Sequence, residues 1–218
     1  MVIVAINECY GGSTGNIARI VLNHAKSKGH ECYFAYHSGP KNIENSIIIS
    51  QPFLFGLYCK IKAKLTGSDG FYHKYATKRL INQLEKINPD IVHIHNLHGL
   101  YINVRILFDY LKKKQIKVIW TFHDCWPVTG RCDHFDYVGC DKWKSKCAKC
   151  AFKKRYPRSY LFDYCKKDYL FKKSLFESID GCFIISPSNW LNNIISQSIA
   201  KRLKHLTIYN GIDLLSTS

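Results

Sequence analysis

Short apolar runs alternate along this chain with longer stretches of helical period, and that alternation limits the fold more than any other feature. Residues 2–6 (VIVAI) read as a buried strand, closed by Asn7 and the Gly11-Gly12 pair. Ser13 or Thr14 stands where a helix cap is wanted. Residues 15–28 then carry Ile17, Ile20, Val21 and Leu22 toward one face, and Gly29 stops that helix before a second strand at 32–36. Further strands are expected at 46–50, 91–94, 117–122, 182–185 and 205–209, and helices at 72–87, 101–113, 160–178 and 189–198. The order predicts an α/β fold: a Rossmann-like, doubly wound parallel sheet covered on both faces. Ligands of such sheets sit beyond the carboxyl ends of the strands, so the loops after Ile6, Ile94, Phe122 and Ile185 are where chemistry is expected.

The first of these loops holds Gly11, Gly12, Ser13, Thr14 and Gly15. Glycines let a backbone approach a ligand, and the free amides of a helix start favour anions. The spacing is neither GxGxxG nor a phosphate loop ending in Gly-Lys, so a plain tight turn explains it equally. The second loop reads His93-Ile94-His95-Asn96-Leu97-His98-Gly99. Strand alternation puts His93 and His95 on one face. A neutral imidazole is a good partner for hydroxyls or phosphate, and His93 also suits a satisfied core position. The third loop opens with His123-Asp124, a candidate catalytic pair, although an Asp there also serves as a turn cap.

Ten cysteines in 218 residues need a separate account. The amino end has no charged, apolar and small-residue order of a signal peptide, and no run reaches the ~18 apolar residues of a membrane span. A cytoplasmic chain is therefore expected, with reduced thiols. Cys132, Cys140, Cys147 and Cys150, the last two a CxxC, form a candidate structural zinc set. The alternative is four thiols packed beneath Trp126 and Trp143. Cys9, Cys32, Cys59, Cys165 and Cys182 fall mostly in strands or helices and read as buried apolar residues.

Hydrophobic residues make up 46% of the chain, which excludes a disordered basic tail. The net charge of +16 lies almost wholly beyond residue 50, since residues 1–50 hold four basic and three acidic residues. Such a surface attracts nucleic acid, anionic membrane or phosphorylated small molecules. Residues 53–65 mix aromatics with Lys60, Lys62 and Lys64. They read either as a core-facing helix with a solvated basic end or as a peripheral contact with anionic lipid on the inner face of the cell membrane.

Six segments occur in a fixed order: GGSTGNIAR, INPDIVHIHNLHG, VIWTFHDCWPVTGRC, DYVGCDKWKSKCAKC, SPSNWL and IYNGID. Together they resemble the amino-terminal domain of a retaining GT-B glycosyltransferase of family four, of the bacterial exopolysaccharide type. The resemblance implies a two-domain enzyme that moves a sugar from a nucleotide-sugar donor to a glycan or lipid-linked acceptor in cell-surface polysaccharide synthesis, with no catalytic cofactor. It implies that the residue matching His123 contacts the donor sugar and that Gly11 to Gly15 lie near the donor phosphates. His95, Asn96 and His98 are assigned to the acceptor side by position alone. Residues 1–213 are then the acceptor-side domain with a Cys-rich insertion at 125–157. Residues 214–218 are the truncated start of the nucleotide-sugar-binding domain, so activity of the chain alone is not expected. Arg131 stands where the family usually has His, and Ala151 where it usually has Pro. Two other classes fit parts of the chain. One is a non-catalytic binding module or truncated remnant. The other is a zinc-stabilised nucleic-acid-binding protein, which lacks a recognition helix or aromatic sheet, so no nucleic acid is expected.

Overall fold

The computed structural model of the chain describes residues 1–151, 153–154 and 158–211. Seven strands form one sheet: β1 (Val2–Cys9), β2 (Glu31–Ser38), β3 (Ser46–Ile48), β4 (Ile91–Ile94), β5 (Lys117–Thr121), β6 (Cys182–Ser186) and β7 (Lys204–Thr207). Their spatial order is β3-β2-β1-β4-β5-β6-β7, and every pairing is parallel. The connecting helices are α1 (Gly12–Ser27), α2 (Phe53–Thr66), α3 (Lys74–Ile87), α4 (Val104–Lys113), α5 (Cys165–Ser178) and α6 (Asn189–Gln197). This is the expected Rossmann-like, doubly wound α/β architecture.

The central strands are buried on both faces because helices cover both. Val4, Ala5, Ile6, Val92, Ile94 and Trp120 are each within 1% of full burial. α4 shows how the helices are fixed. Val104, Leu107, Phe108 and Leu111 recur at helical spacing and are all buried. Asn103 caps the helix by accepting from the Ile106 amide at 3.1 Å. α1 departs from expectation on one point: Ala18 and Leu22 are its buried apolar residues, while Val21 is exposed.

Two longer differences matter for function. Residues 160–164 are not helical; Asp163 accepts from the Cys165 amide at 3.1 Å, and α5 starts there. The core-facing reading of residues 53–65 is overturned. Only Cys59, Ala63 and Thr66 of α2 are buried, while Phe53, Leu54, Phe55, Leu57, Tyr58 and Ile61 are exposed. Apolar side chains occur all round this helix rather than on one stripe, so packing one face leaves the rest in solvent. The Cys-rich stretch after β5 carries three short 3₁₀ turns and no strand among its described residues. Residues 212–218, including the expected start of a following domain, lie outside the described residues.

Candidate functional site

β1 and β4 are neighbours, yet the chain winds away from them in opposite directions, to β3 on one side and β7 on the other. The loops leaving their carboxyl ends therefore diverge and leave a crevice, where open α/β sheets bind ligands. The first loop is drawn tightly over β1. A Cβ on Gly15 would stand 2.6 Å from the carbonyl oxygens of both Cys9 and Tyr10, and Gly12 has φ +70°. Only glycine allows this approach. The strand runs three residues further than expected and the helix starts earlier, with Gly11 at its cap and no side-chain cap bond.

Asn7 holds that loop and is fully buried. Its Nδ2 donates to the Cys9 carbonyl at 2.8 Å and to Thr14 Oγ1 at 3.1 Å. Its Oδ1 accepts from the Asn96 amide at 3.1 Å. One side chain thus ties the loop after β1 to the loop after β4. Thr14 spends its hydroxyl on this bridge instead of capping α1, and Ser13 is exposed.

The histidines form a connected row. His93 Nε2 lies 2.8 Å from Thr121 Oγ1, and the His93 and His95 ring centroids are 4.2 Å apart. His95 Nδ1 lies 3.0 Å from His123 Nε2, with the rings stacked at 15°. Burial pushes His93 and His123 down to about 4 and His95 well below its ordinary value. All three are neutral at neutral pH. The buried Nε2 of His95 has no hydrogen-bond partner within the protein.

His98 behaves oppositely. Burial alone lowers its pKa. The hydrogen bond and charge of Asp124, with Asp69 and Asp133 behind them, outweigh that and raise it. His98 Nε2 and Asp124 Oδ2 are 2.7 Å apart. Asp124 Oδ1 also accepts from the Trp126 amide at 2.8 Å, as a turn cap does. Asp69 accepts from the Gly99 and Leu100 amides, both at 3.0 Å. It fixes a turn in which Gly99 has φ +109° and Leu100 φ +61°. A left-handed leucine costs about 1 kcal/mol and persists only where its surroundings hold it.

The Cys-rich excursion packs behind this crevice. Lys172 of α5 is 1% exposed. It donates to the carbonyls of Trp126 at 2.7 Å and Thr129 at 3.1 Å, and sits 3.5 Å from the Trp126 ring centroid. Burial lowers its pKa, and buried Asp168 opposes that. Four thiols gather below. All are free, with Cys132 in thiol hydrogen-bond contact with Cys150, and Cys165 with both Cys147 and Cys150. Hydrogen bonds from Cys165 and the Gly130 amide, with the Lys172 charge, lower the Cys147 pKa despite burial. Asp163 orients two members by accepting from the Cys150 amide at 2.7 Å and the Cys165 amide at 3.1 Å.

This thiol cluster differs from the expected metal set in one member. Cys140 takes no part in these thiol contacts and instead borders a groove with Trp143 and Trp190. Cys165, read as a packing residue, stands in its place because α5 folds back under the excursion. As the side chains stand, no three His, Cys, Asp or Glu residues among those described are spaced to hold a metal ion. Arg131 is buried, with its guanidinium against Gly67.

Gly11, Gly12, Thr14, Gly15, His95, Asn96, His98, His123 and Asp124 therefore lie on three loops at the carboxyl end of the sheet, joined by the bonds above. Asn7, Asp69 and Thr121 were missed as site residues. A polar residue closing an apolar strand was an available signal for Asn7. Asp69 had none, because the amides it holds are 30 and 31 residues away.

A model of the family described as glycosyltransferase family 4 matches residues 14–214. The putative colanic acid biosynthesis glycosyl transferase WcaC of Escherichia coli K12 is 32% identical over 133 residues, 58% of this chain and 32% of its own length. The chain thus matches about a third of that relative. Two solved structures are similar at low identity. One is an alpha-glucosyltransferase in complex with UDP and a 13-mer DNA with a central A:G mismatch, at 10% identity and TM-score 0.43, covering 99% of this chain and 42% of that one. The other is the glycosyltransferase VinC in complex with dTDP, at 12% identity and TM-score 0.44, covering 86% and 49%. The family match spans almost the whole chain, and on that ground the protein belongs to glycosyltransferase family 4.

Proposed function

We propose that this chain is the acceptor-side half of a retaining GT-B glycosyltransferase, acting with a nucleotide-sugar donor on a glycan or lipid-linked acceptor in cell-surface polysaccharide synthesis. One observation carries the reading. The tight glycine loop, the neutral His95–His123 pair and the His98–Asp124 pair meet at the carboxyl ends of β1, β4 and β5. Neutral imidazoles donate to and accept from sugar hydroxyls without competing for charge. The exposed first-turn amides of α1 suit a diphosphate. His123 faces the donor sugar, Gly11 to Gly15 the donor phosphates, and His95, Asn96 and His98 the acceptor. The test supplies the nucleotide-binding domain of a WcaC-like relative in a fusion and offers UDP- and dTDP-sugars with a bacterial membrane fraction. Sugar transfer that depends on His123 is expected; a folded fusion that transfers nothing overturns the reading.

The exposed apolar face of α2, with Lys60, Lys62 and Lys64, supports peripheral docking on anionic lipid at the cytoplasmic face of the membrane. No helix among the described residues is long and apolar enough to cross a membrane. A structural zinc on Cys132, Cys147, Cys150 and Cys165 is part of this proposal, and it requires the sulfurs to move, because as they stand they are not spaced for a metal ion. Protein purified without added metal is expected to carry about one zinc, lost in Cys165→Ser and kept in Cys140→Ser. Metal-free protein with four titratable thiols in this cluster overturns the zinc assignment.

A further inference from the structure

The Cys-rich excursion returns to α5 through a short stretch that the crevice does not use. Tyr160, Leu161 and Phe162 stand in a row there and are 61%, 63% and 55% exposed. Single exposed apolar residues need no explanation, but a contiguous group of large ones marks a contact surface. The stretch is not loose. Its amides serve the last turn of α2, whose final carbonyls have no partner within the helix. Tyr160 donates to the Lys64 carbonyl at 3.0 Å, and Leu161 and Phe162 donate to the Leu65 carbonyl at 3.1 and 2.8 Å. Ser159 is buried, and its hydroxyl donates to the same Leu65 carbonyl at 3.3 Å. On the other side, Asp163 accepts from the amides of Cys150 and Cys165. The backbone of residues 159–163 is thus fixed between α2 and the thiol cluster, while three apolar side chains stand in solvent. They bring exposed apolar surface to the carboxyl end of the helix that already exposes Phe53, Leu57 and Ile61.

Charge indicates what covers this surface. No Asp or Glu occurs from residue 45 to 68 or from 142 to 162. Lys62, Lys64 and Arg158 are exposed on the two elements, and Lys166 and Lys167 on the first turn of α5. Asp163, the acid next to the apolar row, spends its two oxygens on backbone amides. Apolar side chains in a basic, acid-free surround fit an anionic bilayer: the former enter the acyl boundary and the latter meet the headgroups.

We infer that residues 160–162 are a second membrane-inserting element, so that the protein docks on anionic lipid through two elements and the Cys-rich excursion serves to hold one of them in place. The inference rests on the docking role of α2 above and extends it to a segment almost 100 residues further along the chain. Its test uses the 218-residue chain and vesicles of phosphatidylglycerol or of phosphatidylcholine alone. Leu161→Ser with Phe162→Ser, checked for folding by circular dichroism, is expected to weaken co-sedimentation with phosphatidylglycerol vesicles by about tenfold or more, since two large apolar side chains no longer leave water. Leu161→Trp keeps the apolar row and adds a reporter. Its added indole emission is expected to be quenched by vesicles of brominated phosphatidylglycerol and not by brominated phosphatidylcholine. Unchanged affinity in the folded double variant, or an added indole that bound anionic vesicles do not quench, overturns the second element. Binding that is lost in Phe53→Ser with Phe55→Ser but kept in the double variant of residues 161 and 162 removes this inference and leaves α2 docking in place. A wild-type chain that ignores phosphatidylglycerol vesicles overturns both.

Discussion

The crevice beyond β1, β4 and β5 and the outer face of α2 depart from ordinary burial in opposite directions. In the crevice, imidazoles, an amide and carboxylates are buried and bonded to fixed partners. On α2, Phe53 is 81% exposed and Leu54 75%, next to lysines. The first arrangement spends folding energy to hold polar groups still, which suits selective contact with a polar ligand. The second leaves apolar area in water, which suits a partner that covers it without demanding geometry, as a lipid surface does. A region meant for chemistry should be sensitive to single atoms. A region meant for docking should be insensitive in stability and sensitive in binding.

The sharpest way to break that contrast is at His123. In the fusion enzyme, His123→Ala is expected to lower kcat by about 100-fold or more while the chain stays folded. A loss under tenfold would place this imidazole outside the reaction.

Acid is the next probe. His93 and His123 titrate near 4 in the folded chain against 6.5 when unfolded, and His95 is also lowered well below 6.5. The unfolded chain binds more protons, so stability present above pH 6.5 falls as pH drops toward 4. The slope is roughly 1 kcal/mol per pH unit for each histidine. His98 carries the opposite sign: its contribution is complete below 6.5 and is lost as pH rises through its raised folded value. Urea titrations across this range check both limbs, and His98→Asn should flatten only the upper one. An acid limb that is flat in the wild type would mean that the histidine row is solvated.

Asn7→Ala is expected to cost about 1–3 kcal/mol, because it leaves the Asn96 amide and the Thr14 hydroxyl without their buried partner. Thermal unfolding measures it. By contrast, Phe53→Ser with Phe55→Ser should change stability by no more than about 0.5 kcal/mol. The same pair should abolish co-sedimentation with phosphatidylglycerol vesicles and leave weak binding to neutral vesicles unchanged. Equal binding of wild type and variant to anionic vesicles would remove the docking role.

Much of this was legible along the chain. The glycine loop, the His-x-His of β4 and the His-Asp after β5 are local patterns at strand ends, and a parallel sheet brings strand ends together whatever the details. The four-thiol cluster was legible in only three members. Cys147 and Cys150 are fixed by a short spacing, whereas Cys165 arrives from the first turn of α5 after an irregular stretch whose path no local preference sets. Asp69 was equally hidden, since its partners lie 30 and 31 residues away.

The sequence by itself determined the layer architecture and which loops face the crevice, because apolar periodicity and glycine placement act over a few residues. Tertiary structure alone decided which imidazoles are neutral and which pairs with a carboxylate. It also decided that α2 turns its aromatics to solvent. Burial and partner geometry are properties of segments brought together from far apart, and no window of sequence contains them.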